Sequence, residues 1–276
     1  MPRSLLTFAT ILLAGALAAQ ATHFTATLTG AQEVPPSGST TLGQMSMILD
    51  TGNSTLAYRV VVGKFATAPT AAHFHRAAAG VNGPVVIAIT GGPSIYSGIT
   101  RALTTAELAD LRAGLWYVNV HTSQFPGGEI RGQISAATLP VTYGAGCMGS
   151  NAKIPAISGR DFPSPSNAVF QVGLTNAKES SIAVLLMGVS KTQYGALVLP
   201  FDLSIIGMPT CKALCDDIGI GGSTATDANG AAFMPVLIPF QPALVGITLY
   251  SQWYVVDPVA NLLGLTNSNG LEAKIQ

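Results

Sequence analysis

Charge is what this chain has least of. Asp, Glu, Lys and Arg make up 9% of its 276 residues, and the two signs balance at 13 each, against about a quarter charged in ordinary domains. No basic face exists to draw nucleic acid, and no polybasic run to hold an anionic membrane. Histidine is rarer still, at four. No stretch after the first twenty residues is long and apolar enough to span a bilayer. The sequence lacks a G-x-S-x-G elbow, and no histidine follows His121 to complete a hydrolytic triad in the second half. Gly80-Val81-Asn82-Gly83-Pro84 lacks the Lys and the following helix of a phosphate loop and reads as a turn, with Asn82-Gly83 supplying positive φ.

What is present at the N-terminus is a single Arg3, an apolar run from Leu5 to Ala18, and small residues ending at Ala21. This is the pattern of a secretory signal peptide over residues 1–21. The mature chain is expected outside the cytoplasm, secreted, periplasmic or at the cell surface, with no transmembrane segment. Export permits disulfides. Of the three cysteines, Cys147 and Cys211 are the preferred pair. Their long loop would contribute about 4 kcal/mol. Cys211–Cys215 would make a small ring and stays open as the alternative. A cysteine metal site lacks a fourth ligand and a nearby histidine.

The rest of the chain reads as strands and turns. In HFTATLTG, Phe24, Ala26 and Leu28 share a face, and in GQMSMIL so do Met45, Met47 and Leu49. Asp50–Asn53 is a turn leading into STLAYRVVV, which predicts a hairpin. GPVVIAI, a continuous apolar run, predicts a buried strand. Thr104 and Glu107 fit a capping box that opens one short helix ended by Gly114. After a change of pattern at 136–141, strands are expected in NAVFQVGLT, SIAVLLMG, FDLSIIG, AAFMPVLIP and VGITLYSQWYVV. The fold class is therefore all-β, with an N-terminal Greek-key sandwich or barrel over 23–137 and a C-terminal β-sandwich or jelly roll over 142–276.

Three segments, FTATLTGAQEVPP at 24–36, AHFHRAAAGVNGPVV at 72–86 and YVNVHTSQFPGGEIRGQI at 117–134, together resemble the CHRD (chordin) domain, found in animal chordins and in secreted bacterial proteins. The family has no securely defined activity, so the resemblance implies a domain more than a reaction. The second half, through YGAGCMGS, LPFDLSIIGMPTC and the closing SQWYVVDP to GLEAKI, resembles a C-terminal domain of secreted planctomycete-type bacterial proteins. Thr210 stands where such sequences usually carry Gly before the Cys, and Cys215 has no counterpart. The CHRD pattern is also similar in shape to the copper/zinc superoxide dismutase sandwich, with its HxH strand and late strand histidine. Only His23 is left to supply further ligands and carboxylates are scarce, so a binuclear dismutase is not supported.

His73 and His75 lie at i and i+2 and so share a strand face, and His121 ends the alternating run LWYVNVHT. With the resemblance, this parity predicts a three-imidazole site for copper or zinc at His73, His75 and His121. Asn119, on the face of His121, is expected behind the ligands, as are Glu129 and Arg131. A competing reading has the histidines simply fixing the 77–83 loop through its backbone. For Glu129 and Arg131 the stronger expectation is an ion pair on a solvated face. Trp116, Trp253, Tyr250 and Tyr254 could form a carbohydrate platform, but core or rim placement is the stronger reading. The function that follows is a secreted, non-enzymatic binding or structural protein, its partner an unidentified extracellular protein or glycan. The rivals are a mononuclear, dismutase-like copper redox enzyme and a carbohydrate or cell-surface adhesion module.

Overall fold

The computed structural model describes residues 21–276; the signal-peptide reading, which rests on residues 1–20, lies outside them. The chain divides into two compact units. One ends at Ala137 and takes in Pro165–Asn167 and Gln276; the other comprises Thr138–Ser164 and Ala168–Ile275. Every strand pairing among the described residues is antiparallel, and the protein is all-β.

The first unit holds β1 (His23–Thr29), β2 (Leu42–Asp50), β3 (Thr55–Val62), β4 (Pro69–Arg76), β5 (Val85–Ala88), β6 (Ile95–Ile99), β7 (Trp116–Thr122), β8 (Ile130–Gln133) and β9 (Ser135–Ala136), with helix α1 (Thr105–Arg112) before β7. They form one sheet in the order β5-β4-β7-β8-β1-β2-β3-β6, with β9 also on β1. The sheet curls onto itself. Tyr58 of β3 and Phe74 of β4 are far apart in this order, yet their rings meet edge to face at 5.3 Å. The inner face is the one the alternation marks: Phe24, Ala26, Leu28, Met45, Met47 and Leu49 are all buried in one cluster with Phe74, Trp116, Val118 and Val120. Because side chains alternate across a strand, Phe74 pointing inward sends His73 and His75 outward. Val118 and Val120 likewise send Tyr117, Asn119 and His121 to the outer face.

Helix α1 starts as expected: Thr104 accepts from the Glu107 N–H while Glu107 reaches back to the Thr104 N–H. GPVVIAI is different. β5 is the sheet's edge strand, with Val85 and Ala88 exposed. A continuous apolar run marks a central strand only where both faces are covered, and an edge position removes that cover.

The second unit contains β10 (Val141–Tyr143), β11 (Ala156–Arg160), β12 (Gln171–Thr175), β13 (Ile182–Gly188), β14 (Gln193–Tyr194), β15 (Leu197–Val198), β16 (Phe201–Asp202), β17 (Lys212–Ala213), β18 (Gly219–Ala225), β19 (Ala232–Pro235), β20 (Thr248–Val256) and β21 (Leu265–Lys274). A five-stranded sheet, β10-β21-β20-β13-β18, and a three-stranded sheet, β11-β12-β19, share one core of Ile157, Phe170, Val172 and Leu174 with Ala183, Leu185, Trp253, Val255 and Leu271. The indole N–H of Trp253 crosses between the sheets to the Gly173 carbonyl at 3.1 Å. Both tryptophans are fully buried, which removes them from any sugar-binding platform. FDLSIIG is not a strand beyond its first two residues: Asp202 caps a 3-10 turn over Leu203–Ile206 by accepting from the Ser204 N–H. A disulfide joins Cys147 to Cys211, and Cys215 is a buried thiol whose pKa burial pushes up to about 12. Among the described residues no helix is long and apolar enough to cross a membrane.

Candidate metal centre

Strand register builds the site. β4 and β7 pair so that His73 faces Asn119 and His75 faces Tyr117, while Ala71 faces His121. On the other side of β7, Asn119 faces Arg131 and Tyr117 faces Gln133 of β8. Seven polar or aromatic side chains therefore tile one patch of the outer face. Two loops roof it. Asn82, in the 77–84 loop, donates to the Val34 carbonyl at 2.7 Å, Arg131 reaches Ala78 O and Asn82 Oδ1, and Gln133 donates to Ala77 O. A nominally outward face thus becomes an interior. Asn119 and Arg131 are 3% and 1% exposed.

Under this roof the three histidines converge. One nitrogen from each of His73, His75 and His121 lies within 4.8 Å of the others, and His73 Nδ1 stands 3.1 Å from His121 Nε2. Two ligands of one zinc or copper ion cannot be more than about 4.1 Å apart when each bond is about 2.05 Å, so small side-chain rotations would close the set. The arrangement is compatible with a metal ion. Hydrogen bonding prepares it further. His75 Nδ1 is 3.0 Å from Gly83 O and His121 Nδ1 is 2.9 Å from Pro126 O. A carbonyl only accepts, so in both rings Nδ1 carries the proton and, in the neutral imidazole, Nε2 keeps its lone pair. The histidines do tie down the loop backbone, and by doing so they aim their other nitrogens at a common point. The His75 Nε2 is buried with no hydrogen-bond partner. Burial first, then the neighbouring imidazoles, holds the His73 pKa below the usual histidine range. Burial does the same for His75 against the opposing bond to Gly83. Both rings therefore favour the neutral, ligating form.

Around the histidines lies a compact support. Tyr117 sits between two strands' side chains: His75 stacks on its ring at 4.7 Å, nearly parallel, and the Arg131 guanidinium covers it at 3.4 Å. The Tyr117 hydroxyl accepts from the Gly83 N–H. Asn119 Oδ1 is 3.1 Å from His121 Nε2. Glu33, in the loop after β1, is a buried carboxyl that the sequence reading passed over. Burial raises its pKa to about 7, against the pull of Arg131 and of a hydrogen bond from Asn119. No periodic pattern marks a carboxylate in a Pro-rich loop. Its one signal was an acidic residue in a chain that has few.

Glu129 and Arg131 do not form the expected ion pair on a solvated face. Both are buried. Glu129 precedes β8, and its carboxylate accepts from Ser39 at 2.8 Å and from Thr122 at 2.6 Å. Arg131 goes instead to Tyr117 and the roof loop. Thus Asn119 stands among the histidines, Arg131 is one residue removed through Tyr117, and Glu129 serves the neighbouring turn. His23, at the start of β1, is outside the converging group.

No curated protein sequence matches this chain. The family model of the CHRD domain matches residues 24–134, the segment that carries the curled sheet and all three converging histidines, and this part of the chain is a CHRD domain.

Proposed function

We propose that the protein is an exported binding or structural module whose CHRD domain holds one copper or zinc ion through His73, His75 and His121. The observation that carries this reading is the convergence of the three imidazoles around the buried, unpartnered Nε2 of His75. Imidazole suits both metals, and second bonds from Nδ1 to backbone carbonyls are how ligating histidines are usually oriented. The disulfide and the export signal read from the sequence support an oxidising compartment, and the partner is an extracellular protein or glycan. The C-terminal unit would serve as a separate β-sandwich domain. Elemental analysis of protein produced through an export pathway tests the reading. One equivalent of copper or zinc is expected, lost in His75→Ala with the fold retained by circular dichroism. Wild-type protein that takes up neither metal from micromolar solution would end the proposal.

A further inference from the structure

We infer that Asn119 supplies a fourth, oxygen ligand to the ion held by the three histidines, and that Glu33 is the positioning residue that aims it. The inference rests on the metal reading above and adds to it what closes the site.

Asn119 occupies the middle of the patch. It faces His73 across the β4–β7 pairing and Arg131 across the β7–β8 pairing, lies two residues from His121 on the same strand, and is close enough to His75 to act on its charge. Its Oδ1 is 3.1 Å from His121 Nε2, the same separation as His73 Nδ1 from that atom. Ligands at tetrahedral corners about 2.05 Å from an ion are about 3.3 Å apart, so Asn119 Oδ1 and His73 Nδ1 each already stand at ligand–ligand spacing from His121 Nε2. With His121 neutral, the contact is one a cation between the two atoms would satisfy. The proton of His121 is on Nδ1, where Pro126 O takes it, so in the neutral ring a lone pair on Nε2 faces a lone pair on Oδ1. Turning the amide over would aim its NH2 at Nε2 and swing Oδ1 toward Glu33, whose carboxyl interacts with Asn119; with Glu33 ionised, two acceptors would then face each other. Through that interaction Glu33 favours the orientation in which Oδ1 faces the histidines. Glu33 is itself held in place by the Arg131 charge and by the close approach of the Gly128 backbone, where any side chain would run into the carboxylate.

The consequence is a four-ligand shell with no open position. Closed shells belong to structural ions, and catalytic ions keep a place for water or substrate. The inference therefore separates the binding-module reading from a copper redox enzyme.

The test uses the full exported chain. In wild type, titration with zinc alone should shift the Asn119 side-chain NH2 resonances in the 15N spectrum at one equivalent, because coordination at Oδ1 withdraws charge from the amide. Loading with copper alone should leave solvent-water relaxation low in wild type. In Asn119→Leu it should rise, because water enters the vacated position, and affinity should drop at least tenfold. Glu33→Ala should weaken binding by about 10- to 100-fold, whereas Glu33→Gln, which still accepts from the amide, should restore most of it. If zinc binds but the Asn119 amide does not move, or copper relaxes water equally in wild type and Asn119→Leu, the fourth ligand is wrong while the three-histidine reading stands. Should Asn119→Leu fail to fold, the wild-type amide shift decides alone. If no metal binds wild type at all, the underlying reading falls with it.

Discussion

The buried carboxyl of Glu33 makes a quantitative prediction about the metal-free fold. Below pH 4.5 the group is protonated in both the folded and unfolded chains and contributes nothing to the difference. As pH rises through 4.5, the unfolded chain releases the proton while the folded site retains it up to about 7. Stability is therefore lost across that window and stays lost above it. At about 1.4 kcal/mol for each step of pH, the loss reaches about 3 kcal/mol. Partial access of solvent to the carboxyl reduces this to about 1–3 kcal/mol. Glu33→Gln keeps the shape and the neutral character of the protonated acid at every pH. Relative to wild type, it should be unchanged near pH 4 and more stable by about 1–3 kcal/mol at pH 8. Using the change between the two pH values cancels the cost of altering the contact with Arg131 in the neutral state. Urea unfolding with a chelator present, followed through the NMR signals of β7, measures it. A variant offset that is the same at pH 4 and pH 8 would refute the argument, because it would mean that Glu33 ionises in the fold as readily as in water. A wild type favoured at pH 8 would mean that Arg131 outweighs burial.

Other predictions follow from the same structure. Since His73 and His75 are both held below the usual imidazole range, zinc affinity at pH 6.5 should lie well within the eightfold loss, about a factor of two per ring, that three ordinary imidazoles would show relative to pH 8; isothermal titration at the two pH values checks this, and an eightfold loss or more contradicts it. Gly128→Ala should lower stability by at least about 1–3 kcal/mol, because φ of +131° disfavours a side chain and the new methyl would displace Glu33; a thermal melt unchanged from wild type would show that the turn moves freely. Thr104→Ala should cost about 1 kcal/mol through loss of the capping box at α1, measured by the same melt.

Period-two alternation made β1, β2 and β3 legible because each has one face on the core, and it placed the three histidines opposite Phe74 and Val120. It failed where a strand's burial depends on its neighbours. GPVVIAI carries the same residues as a central strand, but its position at the sheet edge was not written in its own pattern. GIGGSTA became β18 although glycine is a poor strand former. Gly221 in that strand lies where a side chain would meet Met187, a tertiary cause no local reading contains. The disagreement over Arg131 has the same origin. Alternation correctly put it on the outer face, but outer meant solvated only until the 30–37 and 77–84 loops covered it. Glu33 was illegible for that reason too: its role comes from a fold that brings a loop after β1 against β7, about ninety residues away.

The first strand has a bearing on how the chain can be trimmed. β1 lies inside the sheet, with β2 on one flank and β8 and β9 on the other. The two residues before it are also engaged, Thr22 O accepting from the Leu49 N–H and Ala21 O from Arg112. Processing at the N-terminus would therefore have a sharp downstream limit. Loss of residues 1–21, the span read as a signal peptide, would give up only the Ala21 O contact with Arg112, whereas trimming past Phe24 would begin to unpair β1 from β2 and β9 in the middle of the sheet and loosen the loop bearing Glu33.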